Sequence, residues 1–349
     1  MTITINQFID MSKQTNTAAT TAILAVAGLF AFASCSSDDE IVQSNYPSDN
    51  IVRIDAGVNN MTTRASMGID NFDELGFTIV NANPTKGADY SYDNYQVTKG
   101  ESGTWTSAKQ MLWQSATQPV TVIAYAPYDE NLTDVATKTD YKVSVAAEQK
   151  ADTYESDFLV YKKADFLPNT ELDAKGAVPI AFNHALSQLE IKVVFGTELD
   201  DAGAITSSPI TSITVNNVRL TGQCDFTQDT PGVTAASDGE PNTVTPYQVP
   251  NSFVTAKKTD AGEVSNANVT YSCILIPQTL AGGVFGVTLT MNNGKTYTWT
   301  AQAGSDNTLA GGNKYTLTLT VGKDYVVAGT MKATPWDEAT GYDSNLETD

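Results

Sequence analysis

Val287-Thr288-Leu289-Thr290-Met291-Asn292-Asn293-Gly294-Lys295-Thr296-Tyr297-Thr298-Trp299 decides the fold class. Apolar and polar residues alternate on both flanks of Asn293-Gly294, so each flank buries every second side chain and the two close into a β-hairpin. Asn293-Gly294 suits a type I′ turn, whose two central residues both take positive φ. The same period of two recurs at Phe77 and Ile79; at Val120, Val122 and Ala124; at Leu189, Ile191, Val193 and Phe195; at Ile213 and Val215; and at Tyr315, Leu317, Leu319 and Val321. One buried and one wet face per strand implies antiparallel sheets. Helical periodicity is scarce, with a turn expected near 70–75 and another near 153–158. Many short strands punctuated by Gly, Pro and Asn predict an all-β protein built of Ig-like antiparallel β-sandwiches.

The chain has 349 residues, which suggests two domains at about 150 residues each. A polar stretch at 163–179 marks the boundary, giving an N-terminal β-sandwich domain at 50–180 and a C-terminal one at 181–349 with a polar tail. Residues 228–245 read as a surface loop. There are 40 acidic and 20 basic side chains, a formal charge of −20. Such a surface repels polyphosphate and excludes nucleic acid as a partner. With one histidine in the chain, multi-His metal sites are excluded as well.

Near the N-terminus, Thr21-Ala-Ile-Leu-Ala-Val-Ala-Gly-Leu-Phe-Ala-Phe-Ala33 is an apolar run of signal-peptide length, too short to span a bilayer comfortably. Lys13 precedes it, and the acid at Asp10 suggests that the functional start is Met11. Ala33-Ser34-Cys35 resembles a bacterial lipobox. On that reading 1–34 is a signal peptide and Cys35 is the first mature residue, carrying acyl chains that anchor the protein to the membrane. Ser36-Ser37-Asp38-Asp39-Glu40 resembles the acidic signal that sends lipoproteins to the outer face of the outer membrane, and 35–49 is a polar tether. Cys224 and Cys273 then remain as a candidate disulfide in an oxidising compartment.

No P-loop, GxGxxG, GxSxG, HExxH, SxxK or EF-hand pattern occurs, so the sequence offers no enzyme chemistry and no cofactor site. His184, in Phe182-Asn-His-Ala-Leu-Ser-Gln-Leu-Glu190, reads as a structural group hydrogen-bonded where the chain passes between domains. Trp105, Trp113 and Trp299 sit in strand-like contexts and are expected in the core. Trp336 is left open, since exposed aromatics could also stack on sugars.

Several short motifs share a characteristic order. The lipoprotein signal at Cys35 is followed by Thr63-Arg64-Ala65, Met111-Leu-Trp113, Val120-Thr-Val-Ile-Ala-Tyr-Ala-Pro-Tyr128 and Ser156-Asp-Phe-Leu-Val-Tyr161. Then come Ile180-Ala-Phe-Asn-His184-Ala-Leu-Ser-Gln-Leu-Glu-Ile-Lys-Val193, Ile276-Pro-Gln278, Gly311-Gly-Asn-Lys-Tyr315 and Trp336. This order resembles the Bacteroides-type fimbrillin family, also called Mfa-like or type V pilins, over nearly the whole mature chain. The resemblance implies a lipoprotein precursor with two transthyretin-like sandwiches, built into adhesive surface fibres and without enzymatic activity. It also implies other fimbrial subunits as partners, joined by strand addition. In the family a trypsin-like protease removes an N-terminal strand, and an extended segment of a neighbour takes its place.

Only Arg53, Arg64 and Arg219 occur, and the first two lie in the first mature segment, Arg53 within the candidate strand Ile51-Val52-Arg53-Ile54-Asp55-Ala56-Gly57-Val58 and Arg64 after it. Arg64 or Arg53 is therefore the expected processing site, with Lys86 as the fallback. Pro335 and the acidic tail 337–349 depart from a stalk-type C-terminal strand, which leaves a stalk subunit and an accessory or tip subunit both open. A surface lipoprotein that binds glycans is the alternative reading.

The lipobox reading has a direct consequence. Cys35→Ala should abolish metabolic labelling with palmitate and leave the precursor at full length, checked by autoradiography and immunoblotting.

Overall fold

The computed structural model describes residues 44–58, 72–85, 90–151, 157–199, 205–237, 240–258 and 264–336. Met11, Cys35, Arg64 and Lys86 lie outside the described residues, as does most of the turn expected near 153–158. The strands of the first half are β1 (Arg53–Val58), β2 (Glu74–Asn81), β3 (Tyr92–Lys99), β4 (Trp105–Ser107), β5 (Val120–Ala126), β6 (Tyr141–Ser144), β7 (Leu159–Phe166) and β8 (Ala177–His184). The second half opens with β9 (Ser187–Phe195), β10 (Ile210–Val218), β11 (Thr221–Asp225), β12 (Gly232–Ala235), β13 (Asn242–Val244), β14 (Tyr247–Gln248), β15 (Lys257–Lys258) and β16 (Val264–Ser265). It continues with β17 (Asn268–Leu275), β18 (Thr279–Leu280), β19 (Gly286–Met291), β20 (Thr296–Thr300), β21 (Asn307–Thr308), β22 (Asn313–Val321), β23 (Val326–Ala328) and β24 (Lys332–Pro335). The protein is thus all-β. Among the described residues the helical elements are a 3-10 turn at Val135–Thr137 and α1 at Pro168–Glu171. Pro168 opens α1, where its missing N–H would have had no helical partner anyway.

In the second half, the sheet β13-β10-β19-β20 faces the sheet β14-β17-β9-β22-β23, and β24 extends the outer edge of β22. Between them lie Leu189, Ile191, Val193, Val215, Val287, Leu289 and Leu319, each removed from solvent. Here the period of two behaves as expected. Strand β9 is central, paired antiparallel with β17 and parallel with β22 through eight residue pairs on each side. That parallel pair and the pair β1–β8 depart from the expected purely antiparallel sheets, because their strands are not sequence neighbours joined by a tight turn.

The first half forms one sheet in the order β1-β8-β7-β5-β2-β3-β4. It curls until its two edges face each other, and the Trp105 indole on β4 donates to the Ala56 carbonyl on β1 at 3.2 Å. The core inside the curl contains Ile54, Phe72, Phe77, Trp105, Trp113 and Phe182. Strand β5 is buried on both faces. Val122 and Ala124 point into the curl, whereas Ile123 and Tyr125 enter a third core with Phe158, Cys224, Phe226 and Trp336. The run from Val120 therefore has no wet face, which is why it is almost continuously apolar.

This third core joins the halves. The small sheet β12-β11-β6 takes one strand from the first half and two from the second. The Gln149 amide bonds Ile274 in both directions, donating at 2.8 Å and accepting at 2.7 Å. Lys162 Nζ on β7 donates to the carbonyls of Phe226, Thr227 and Gln228, each at 2.9 Å. From Ser44 onward the chain clusters as one compact unit.

Several local expectations are corrected. Residues 74–75 begin β2 and are not helical. The stretch 163–179 is no linker: it holds the end of β7, then α1, then the start of β8, so residue 180 falls inside a strand. Residues 228–245 contribute β12 and β13, each fixed by a partner strand. The hairpin β19–β20 forms, but Asn293 does not take positive φ and Gly294 does, at 82°. Gly294 N–H bonds Met291 O and Met291 N–H bonds Lys295 O, so the loop has three residues, ending at a left-handed glycine.

Ile191 is fully buried at the centre of β9. Ile191→Asp should lower the unfolding free energy by roughly 3 kcal/mol or more, through an unpaired buried carboxylate and a lost apolar contact. The check is the urea midpoint.

Candidate functional site

Strand β1 lies parallel to β8 through six residue pairs, from Arg53 beside Ala177 to Val58 beside Phe182. On its other side β8 meets β7 at only two pairs, Leu159 with His184 and Val160 with Asn183. Among the described residues, β1 is the strand paired with β8 along 177–182. Alternate residues of β1 point inward: Ile54, Ala56 and Val58 are buried beside Val178, Ile180 and Phe182. Fully burying a Val or Ile side chain stabilises by about 1.5–3 kcal/mol, so β1 contributes substantially to this half.

Aromatic rings form the floor beneath the strand. Phe72 stacks on Trp105 at 5.3 Å and meets Phe182 edge-on at 5.5 Å. The outer edge of β1 faces β4 across an open seam. A cleft of about 410 Å³ there is lined by Arg53, Asp55, Ser102, Thr104, Trp105 and Lys175. A second of about 200 Å³ continues along Ile51 and Val52 towards Met111. Upstream, Val52 N–H bonds Met111 O and Trp113 N–H bonds Asn50 O, strapping the approach to β1 onto the body.

The charged residues of this strand are paired at its surface. Arg53 opens β1 and holds Asp49 at 2.6 Å. The guanidinium, with a backbone hydrogen bond from Ile51, lowers the Asp49 carboxyl to about 2. Asp55 pairs with Lys175 at 3.1 Å, and that carboxylate raises the lysine above its ordinary value. Lys175 sits in a tight turn where Asp173 Oδ1 accepts from the N–H groups of both Lys175 and Ala177. Among the described residues no group of three or more His, Cys, Asp or Glu side chains could hold a metal.

Comparison with known proteins follows the same chain segment. Residues 63–336 match the family described as fimbrillin-like. The chain belongs to that family. Membership makes this fimbrillin-like chain a structural fimbrial protein and not an enzyme. The match begins beyond β1, which ends at Val58. Two solved structures share the fold. One is a candidate cell adhesion protein from Bacteroides uniformis, with 19% identity and a TM-score of 0.55, covering 83% of this chain and 99% of the other. A candidate cell adhesion protein from Bacteroides ovatus also shows 19% identity and a TM-score of 0.55, covering 82% of this chain and 96% of its own. No curated protein matches the chain.

Other expected residues of the fimbrillin-like chain fall elsewhere. Cys224 and Cys273 are both free and buried, the first in the joining core and the second in the C-terminal sandwich, so the candidate disulfide is not formed. Burial pushes the Cys224 thiol up to about 12 and raises Cys273 as well. His184 is structural: its Nδ1 meets Asp157 Oδ2 at 2.8 Å, and its ring stacks on Trp336 at 4.3 Å. Trp105 and Trp113 are core residues as expected. Trp299 is half-buried, and Trp336, left open by the sequence, is 1% exposed. Lys175 and Trp105 were missed as groove residues. Nothing local marks them, since Lys175 lies 120 positions from Asp55.

A Cys35→Ala chain should therefore show no reaction with a thiol-specific dye while folded and two thiols per chain in denaturant. Identical migration with and without reductant is the second check.

Proposed function

We propose that this chain is a fimbrial structural subunit, made as an outer-membrane lipoprotein precursor anchored through Cys35, in which β1 holds the place of a strand from another subunit. The observation that carries this reading is the dependence of β8 on β1. If β1 departs, the backbone groups of 177–182 lose their ladder, and the apolar side chains beneath it meet water. An extended segment from a neighbour satisfies both needs at once, which is strand addition at an open edge. Surface fimbria are the setting in which such subunits join.

The position of β1 discriminates between the arginines. A cut after Arg53 leaves Ile54–Val58 attached to the body and frees nothing that holds the groove. A cut after Arg64 lies beyond Val58 in sequence and separates all of β1 from the rest, so Arg64 is the preferred site for a trypsin-like protease.

The C-terminal strands support an accessory or tip position. Strands β23 and β24 both pair with β22 of their own sheet, and Trp336 N–H bonds Gly312 O while its ring rests on His184. Residues 337–349 carry five carboxylates and only Tyr342 and Leu346 as large apolar residues, so this stretch lacks the alternation of a donor strand.

Arg64→Ala should leave a lipidated monomer on unboiled gels of surface material, whereas Arg53→Ala should still enter high-mass ladders. Ladders from Arg64→Ala would overturn protease-released strand exchange at this site.

A further inference from the structure

Strand β1 fills its groove in a specific way, and that fit describes what else can fill it. Ala56 is 1% exposed, lies beside Ile180 on β8, and accepts the Trp105 indole N–H on its own carbonyl. The indole also stacks on Phe72, which in turn packs against Phe182, while its remaining side lines the clefts along β1. A larger side chain at this point has to displace a packed aromatic cluster. One residue earlier, Asp55 faces Lys175, whose backbone is fixed by the Asp173 turn. Flanking positions differ: Ile54 and Val58, at 7% and 9% exposed, fill wider sites beside Val178 and Phe182.

We infer that the groove selects an incoming strand that runs parallel to β8 and carries a small residue where Ala56 lies, a carboxylate where Asp55 lies, and branched aliphatic residues where Ile54 and Val58 lie. This rests on the strand-replacement reading and adds the chemistry of the partner. The occupant is a segment of another subunit with the order aliphatic, acid, Ala or Gly, any residue, β-branched. The steric element is the stronger selector, because overpacking a core site costs about 1–3 kcal/mol, or roughly fivefold to 150-fold in affinity. The Asp55–Lys175 pair is solvent-exposed and contributes a smaller factor, about fivefold at most.

The test uses the full chain with a unique site-specific protease sequence placed at Arg64-Ala65, cut in vitro and incubated with fluorescein-labelled peptides. The parent peptide copies residues 50–58. Its variants carry the equivalents of Ala56→Leu and Asp55→Lys, and a further peptide has the parent composition in reversed order. Bound label is read by anisotropy, and departure of β1 by mass spectrometry after gel filtration.

The parent peptide is expected to enter as β1 leaves, the Leu peptide at least about fivefold more weakly, and the reversed peptide not measurably. In a Lys175→Glu chain the Asp-to-Lys preference should invert. Equal binding of the parent and Leu peptides would overturn the selection rule while leaving strand replacement intact. If β1 never leaves the cut chain, or leaves and no peptide enters, strand replacement falls and the selection rule with it.

Discussion

The pairing of β1 with β8 is the interaction on which the first half of this protein rests. Among the described strands, β8 pairs with β7 at its last two residues, and its earlier residues pair with a strand contributed from far upstream in the chain. The parallel sense of the pair explains how this arises. Parallel neighbours cannot be joined by a tight turn, so β1 arrives through a long connection and is topologically separable from the sheet it completes. A hairpin partner would have been tied to β8 by two or three residues and could not be exchanged without unfolding. The aromatic floor beneath β1, built from Phe72, Trp105 and Phe182, comes from three different elements and stays with the body if β1 departs.

A removable strand requires that the remainder be held by something else, and the third core meets that need. Tyr125 shows how. Its ring packs so tightly over Gly76 that a Cβ there would overlap it, and its hydroxyl donates to Asn94 Oδ1 at 2.6 Å. Asn94 also donates to the carbonyls of Asp129 and Leu132. Strands β2, β3 and β5 are thereby locked to one another by contacts that do not involve β1. On the opposite side, His184 and Trp336 tie the end of β8 to the end of the described C-terminal chain.

The sequence was most legible where one face of a strand is buried and the other is wet. Strands β9, β10 and β22, and the pair β19–β20, follow directly from alternation, because water on one side forces the period of two. Strand β5 was half legible: its existence was evident, but its second buried face belongs to a core assembled from distant segments. Strands β12 and β13 have few apolar residues and exist because β11 and β10 offer them an edge, which polar composition does not disclose. The loop at Asn293-Gly294 shows a different limit. The same dipeptide serves a two-residue and a three-residue turn, and the choice is made by the Met291–Lys295 pairing and not by local preference. In the groove, the strand with Arg53 in it could be read as an extended segment from its local pattern, whereas its reading as removable came from the family resemblance. The sites that receive it could not be read, because Trp105 and Lys175 acquire their roles only through the curl of the sheet.

Lys162 has a consequence of a different kind. Its ammonium sits among three consecutive carbonyl oxygens of the turn between β11 and β12, the type of oxygen cluster that elsewhere holds a calcium or sodium ion. Here the positive charge is supplied on a side chain, so it is stoichiometric with the turn and cannot be diluted away. At this one joint between the halves, the cation is covalently tethered and does not depend on the concentration of a dissolved one.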